Sequence, residues 1–506
     1  MPLSRKQFVG ALAKGVAGST IATAAASGEA RAISPPALPA RRRSAPQGST
    51  AAVKHFVATT TLSSVPFDVI HQAKRCMIDG FGVILAGSTV RGSAIVREHL
   101  RSVDGRKEAT VLGSEKLMAP VSLAALANGA SGHAMDYDDT QLSTTPDRTF
   151  GLLTHPTLPP LVASLAICEQ GGLSGAAMLE AFLVGFEVEC KIAEAIDPSH
   201  YNRGFHSSGT VGTFGAAAAA AKLMKLNDQQ VGHMLAIVSS MASGIRVNFG
   251  TMTKPLHMAR ACENGIVAAE LARRGFTGGD DGLDGQWGFF QVFGGGADLD
   301  RLIPVLGKPW TIVSPGVSIK PYPCGSLSHP SLDAMLKVVV DHDLKPEEVR
   351  AVRLRAGSNI LDPLRYKVAK TELEAKFSIP FLMTTILIRR KAGIREFTDE
   401  FVASEPVQKM MLRVTGVFDP KIEAQGFDRI RSVVEVDLAD GRTLIQPSDD
   451  KYRGGPERPF TREELHAKFA DCAQMVLTPD RVQRALEQID GIDAAKDVRE
   501  LVRTLS

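Results

Sequence analysis

Close cysteine pairs are missing from this sequence. Its six cysteines (Cys76, Cys168, Cys190, Cys262, Cys324 and Cys472) are scattered, and no two form a C-x-x-C pair. That absence argues against a zinc ribbon, a redox dithiol and a dehydratase carrying an iron–sulfur cluster, all of which need neighbouring thiolates. Aromatic residues are also few, at 6%, while glycine and alanine are plentiful, which favours helices packed through small side chains over a β-rich core. A charge excess of one sign is missing too: the net charge is +3 over 506 residues. Residues 1–54 hold eight Lys or Arg (Arg5, Lys6, Lys14, Arg31, Arg41, Arg42, Arg43, Lys54) against Glu29 alone, and subtracting that +7 leaves the remainder at −4. A near-neutral body without a basic stripe offers no electrostatic footprint for nucleic acid.

The basic N-terminus reads as an address. Ser4-Arg5-Lys6-Gln7-Phe8-Val9 is similar to a twin-arginine signal, with Lys6 in the second arginine position, and Ala30-Arg31-Ala32 supplies an A-x-A cleavage site. The expectation is a targeting peptide over 1–32, for export to the periplasm, followed by a Pro/Arg-rich linker over 33–49. A mitochondrial transit peptide is the alternative, since the segment is rich in Ser and Ala and nearly free of acids. The apolar run Phe8–Ala26 contains Lys14 and is too weakly hydrophobic for a membrane span.

At 506 residues the chain exceeds the size at which one core keeps growing, so two domains are expected. Pro66 precedes Ile70, Met77, Ile78, Phe81 and Leu85 at helical spacing. Further helices are predicted over 176–196 behind Ser174, over 231–241 behind Asn227 or Asp228, and over 257–274 ending at Gly275. Val211–Met224 is so rich in Gly and Ala that a neighbour can pack on its backbone. The pattern changes near Trp310: Val349–Arg355 alternates as a strand, and Ile430–Leu438 with Thr443–Ile445 reads as a hairpin around an Asp-Gly turn. The fold class is therefore mainly α, with a large helical domain over 50–308, a smaller α+β lid over 309–445, and helices over 446–506 returning to the first domain.

Three segments carry chemistry. In Asn128-Gly-Ala-Ser-Gly-His133-Ala-Met-Asp136-Tyr-Asp138-Asp139-Thr140, a continued helix would set His133, Asp136 and Thr140 on one face. Adjacent acids in an apolar helical region are costly to bury without partners; an exposed acidic helix end and a metal site are the alternatives, the latter without paired-ligand spacing such as H-E-x-x-H. Gly204-Phe205-His206-Ser207-Ser208-Gly209-Thr210 places a histidine and hydroxyls before the Ala-rich helix, whose first amides suit a carboxylate. Asn248–His257 offers Lys254 in a polar turn before the next helix.

The strings N-G-x-x-x-H-x-M-D-Y-D-D-T, F-H-x-x-G-T-V-G-T-F-G-A-A-A, F-G-T-M-T-K-P-L-H and K-P-Y-P-C-x(4)-H, in this order, resemble the signatures of the MmgE/PrpD family, and the resemblance runs from about residue 50 to 500. The family includes 2-methylcitrate dehydratase, cis-aconitate decarboxylase and iminodisuccinate epimerase. The resemblance implies a homodimer of two-domain subunits with no metal or organic cofactor. It carries site roles onto Asp136, Thr140, His155, His206, Lys254 and His329. Two departures stand out. The stretch from Thr140 to His155 is longer than in the family, and Gly325-Ser326-Leu327-Ser328 follows Cys324 where many dehydratase relatives have Cys and Arg. Losing that arginine removes a bidentate carboxylate partner.

The resemblance implies a lyase acting on a small polycarboxylic acid. The leading expectation is a 2-methylcitrate dehydratase-like hydro-lyase in which His155 or Asp136 is the base while Lys254 and His206 hold carboxylates and neutralise the developing charge. The alternatives are a decarboxylase or epimerase on the same constellation, or a catalytically idle, ligand-binding relative.

Overall fold

The computed structural model describes residues 47–103, 105–114, 116–142, 145 and 153–506. The expected targeting peptide over 1–32 and most of the linker over 33–49 lie outside the described residues.

Small side chains decide how the larger body is built. Its helices are α1 (Ser49–Thr59), α2 (Phe67–Gly87), α3 (Arg91–Ser102), α4 (Val121–Ala134), α5 (Leu158–Gly171), α6 (Gly175–Ala195), α7 (Gly212–Leu223), α8 (Asp228–Met241) and α9 (Thr253–Arg273). A Cβ added to Gly265 of α9 would lie 2.5 Å from the Ala217 nitrogen of α7, and one on Gly185 of α6 would lie 2.4 Å from the Gly215 carbonyl oxygen. These backbones touch, as the Gly/Ala run predicts, and no larger residue fits there. Ser174 caps α6 by accepting from the Ala177 amide at 3.2 Å. Asn227, rather than Asp228, caps α8 through a reciprocal pair with Gln230. Helix α9 starts at Thr253, four residues before the predicted start, so Lys254 stands in its first turn and not in a turn ahead of it.

The second body is a sheet covered by helices. Strands β3 (Val349–Ala356), β4 (Val414–Phe418), β5 (Ser432–Leu438) and β6 (Thr443–Pro447) pair in the order β4-β3-β5-β6, after a minimal β1–β2 pair (Ala109–Thr110, Met118–Ala119) in the larger body. The β5–β6 hairpin turns through Gly441 at φ 93°, a conformation that favours glycine. Strand β4, parallel to β3, was not anticipated. Val352, Leu354, Val434 and Val436 bury one face in a core with α10 (His329–Asp341), α11 (Ile379–Arg389) and α12 (Glu405–Met411). On the other face, Arg353 and Arg355 pair with Glu435 at 2.9 and 3.1 Å.

The expected change of domain at 309 is displaced. Trp310, Ile312, Val317 and Ile319 pack into the larger core, and the second core begins at Tyr322 while recruiting Phe249. A backbone bridge also ties this segment to the larger body: the Thr140 amide donates to the Ser318 carbonyl and the Ser318 amide to the Thr140 carbonyl, both at 2.9 Å. After the sheet, α13 (Arg462–Ala473), α14 (Pro479–Asp490) and α15 (Arg499–Leu505) contribute Leu465, Phe469, Leu486 and Leu501 to the larger core. No described helix is long and apolar enough to cross a membrane.

Candidate active site

Helix α4 ends at Ala134, which corrects the expectation of a helix running on to Thr140. Asp136 then adopts a left-handed conformation, φ 52°, which aspartate tolerates better than most side chains. The resulting turn points its three acids at three different partners instead of along one face. Asp136 meets two lysines, Asp138 meets two histidines, and Asp139 accepts from the Thr157 hydroxyl at 2.7 Å and its amide at 3.3 Å. Burial pushes the Asp139 carboxyl up to about 8. Below the turn, Lys468 of α13 pairs with Asp79 at 2.6 Å, donates to the Tyr137 carbonyl at 2.9 Å and lies 3.9 Å from the centre of its ring.

Lys254 Nζ is 2.8 Å and Lys320 Nζ 3.0 Å from the same oxygen of Asp136, and Lys320 also donates to the Asp136 carbonyl at 2.9 Å. Burial alone would raise this carboxyl. The two ammonium groups outweigh it and hold Asp136 well below the usual carboxylate range. Lys254 also donates to His133 Nε2 at 2.6 Å, while His133 Nδ1 donates to Asp138 at 2.9 Å, so its tautomer is set by its neighbours. His155 Nδ1 donates to the Asp139 carbonyl at 2.6 Å, which leaves its Nε2 as the basic nitrogen. Burial lowers the imidazoles of His133, His155 and His206, the last two well below their usual range. With the histidines neutral, two lysines balance Asp136 and Asp138.

The flanks of this cluster are also pinned. The Gln141 amide donates to the Thr154 carbonyl at 3.0 Å, closing the base of the long stretch between Thr140 and His155. Gln141 Nε2 donates to Glu194 at 2.7 Å and the Thr154 hydroxyl to Glu189 at 2.5 Å, both acids on α6. The His155 amide donates to Ser208 Oγ at 3.1 Å. The Thr140 hydroxyl meets Ser326 Oγ at 2.8 Å, so the altered turn after Cys324 supplies a hydroxyl at the site.

Asp136, Thr140 and His206 line one cavity with Tyr201, Ser326, Phe249, Leu364 and Phe377. Its walls divide into a polar side, from the larger body and Ser326, and an apolar side from Phe249 and the lid. Asp136 Oδ2 and His206 Nε2 are buried without a hydrogen-bond partner among the described residues. Such atoms cost about 1–3 kcal/mol each unless a ligand meets them, so the cavity suits a molecule with complementary polar groups. The residues after His206 form a separate short helix, Ser207–Thr210. The first amides of α7 therefore begin only at Gly212 and do not adjoin His206 as expected.

His329 differs from the other predicted residues. Its Nε2 donates to the Cys324 carbonyl at 3.1 Å and its Nδ1 accepts from Tyr452 Oη at 2.5 Å, so both ring nitrogens are engaged in holding the lid turn. Sequence reasoning assigned no role to His133, Asp138, Lys320 or His257. All four lie inside the motif strings, His257 as the last residue of the one that carries Lys254. His133, His155 and His206 present ring nitrogens within 4.8 Å of one another, as a metal site would. Lys254, 2.6 Å from His133 Nε2, already uses that lone pair and sets a positive charge where a cation would stand.

Comparison with known proteins agrees with the motif strings. Residues 51–302 match the MmgE/PrpD N-terminal domain and residues 322–493 the MmgE/PrpD C-terminal domain. The chain is 28% identical over 448 residues to a cis-aconitate decarboxylase of Homo sapiens, covering 86% of this chain and 90% of the relative. It is 28% identical over 450 residues to that of Mus musculus, covering 86% and 89%. The cis-aconitate decarboxylase of Aspergillus terreus is 23% identical over 486 residues, covering 91% and 96%.

Proposed function

The chain belongs to the MmgE/PrpD family and is a lyase, and we propose that it decarboxylates cis-aconitate or a tricarboxylate of the same shape. The relatives favour this reading over the dehydratase expected from the sequence, and the missing arginine after Cys324 is in keeping with it. The observation that carries it in the site is His206 Nε2, unpartnered on the cavity wall and flanked by the clamped Asp136.

In cis-aconitate one carboxylate sits on a carbon next to the double bond. When that C–C bond breaks, its electron pair forms a new double bond, the old π pair takes a proton on the far alkene carbon, and carbon dioxide leaves. The leaving group needs no acid, so one proton donor suffices. Dehydration needs two proton-transfer groups, a base for carbon and an acid for hydroxide. In the proposed reaction His206 donates the proton, and Lys254 and Lys320 supply the positive field that holds the retained carboxylates. The departing carboxylate faces the apolar wall of Phe249, Leu364 and Phe377, where it loses charge as it becomes neutral.

Purified protein supplied separately with cis-aconitate, citrate and 2-methylcitrate tests the reading by mass spectrometry and carbon dioxide release. Carbon dioxide with a five-carbon dicarboxylate from cis-aconitate is expected. Loss of water from 2-methylcitrate without carbon dioxide from cis-aconitate would restore the dehydratase.

A further inference from the structure

Decarboxylation of a carboxylate consumes one proton per turnover, because the C–COO⁻ bond is replaced by a C–H bond as neutral carbon dioxide departs. Dehydration has no such demand, since the proton removed from carbon leaves with the hydroxide. A buried decarboxylation site therefore needs a route by which protons enter while substrate fills the cavity. His206 cannot store many protons itself. Burial, with Lys254, His133, His257 and His155 around it, holds its imidazole well below the ordinary range, and among the described residues no carboxylate pairs with its ring.

His257 supplies what His206 lacks. It stands one turn beyond Lys254 on α9, and its Nδ1 lies 3.1 Å from His206 Nδ1, so one ring donates to the other. The ring centroids are 5.3 Å apart. His257 is 9% exposed and His206 1%, so the pair runs from the protein's edge inward and ends at His206 Nε2 on the cavity wall. Close packing keeps the His257 ring in register: a Cβ on Gly244 would lie 3.1 Å from its Cγ, and one on Gly209 3.0 Å from its Cβ. His133 and Lys254 are the charged or titratable groups that, besides His206, act on His257, and with burial they lower it to about 4.

We propose that His257 and His206 form a two-imidazole proton relay that feeds the decarboxylation from solvent. A water proton arrives on His257 Nε2, the His257 Nδ1 proton passes to His206 Nδ1, and the His206 Nε2 proton forms the new C–H bond. Both rings stay neutral throughout, which suits imidazoles whose protonated forms are disfavoured. When product leaves and solvent enters the cavity, a water there gives a proton to His206 Nε2, the transfers between the rings reverse, and His257 Nε2 returns its proton to the hydroxide left outside. The hydroxide formed in the cavity leaves to bulk solvent, so one solvent proton is consumed per turnover and the starting tautomers are restored. The relay rests on the decarboxylase reading. His257 is a positioning and relay residue, since it reaches the substrate only through His206.

His257→Gln keeps a hydrogen bond to His206 Nδ1 without a second exchangeable ring nitrogen, and His257→Ala opens space beside His206 for added imidazole. Both are compared with the parent on cis-aconitate, with circular dichroism to confirm folding. His257→Gln is expected to lower kcat by roughly 10-fold to 100-fold with KM within about twofold. For His257→Ala, kcat should rise in proportion to added imidazole, which a structural role would not produce. Parent-like kcat in His257→Gln, or a folded His257→Ala whose lost kcat does not respond to imidazole, overturns the relay alone. A parent that releases no carbon dioxide overturns the decarboxylase reading, and the relay with it.

Discussion

Lys254 and Lys320 converge on one oxygen of Asp136, at 2.8 and 3.0 Å, the first from helix α9 and the second from the segment that leads into the lid. Two like charges are held together only because a carboxylate lies between them. The arrangement ties the segment leading to the lid to the cavity wall and places positive charge there, as the anionic substrate proposed above requires.

Replacing either lysine tests that geometry. Lys254→Met is expected to lower kcat/KM at least 100-fold, which is about 2.7 kcal/mol of transition-state stabilisation. Lys320→Met should act similarly. Because both work through Asp136, the double variant should lose less than the product of the single effects. Steady-state kinetics on folded variants decides the matter, and near-parental kcat/KM for Lys254→Met would remove Asp136 and its lysines from the site.

Asp139 predicts a pH effect on stability. Its folded carboxyl is raised to about 8 by burial, against about 3.9 for an unfolded aspartate. The folded state therefore binds the extra proton between these values. Its contribution to stability is full below about 4 and is lost as pH rises through about 8. Asp139→Asn mimics the protonated form and keeps partners for the Thr157 hydroxyl and amide. Thermal melts from pH 5 to 9 should show a shallower fall for the variant than for the parent, with the gap widest at high pH. Parallel curves would mean that Asp139 is ionised in the folded protein.

Lys468 supports the acid-bearing turn from beneath. Lys468→Met leaves Asp79 buried without its cation and frees the Tyr137 carbonyl. Breaking one side of a buried pair costs about 3–5 kcal/mol. Urea unfolding should show a midpoint shift of that size. A loss below about 1 kcal/mol would mean that water reaches Asp79.

Much of the candidate site was legible because its residues lie in short contiguous strings. Asp136 and Thr140 belong to one string, His206 to a second, Lys254 to a third and His329 to a fourth. What the strings did not carry was direction. Helical spacing projected His133, Asp136 and Thr140 onto one face, but a left-handed Asp136 sends the three acids apart. His329 shares a string with Lys320. Only the packing of Tyr452 and the Cys324 carbonyl against both its nitrogens separates the histidine that holds the lid from the lysine that reaches Asp136.

By itself the amino-acid order determined the helical character of the larger body, the strands β3, β5 and β6 of the smaller one, and the family. Those properties follow from local periodicity, caps and motif strings, each read within a few dozen residues. Tertiary structure alone decided which nitrogen of each histidine is free, which lysines share Asp136, and that His257 stands between His206 and solvent. These depend on contacts such as Lys320 with Asp136, 184 residues apart, and on burial that shifts proton affinities. No local pattern encodes either, because both arise only when distant segments close around the same cavity.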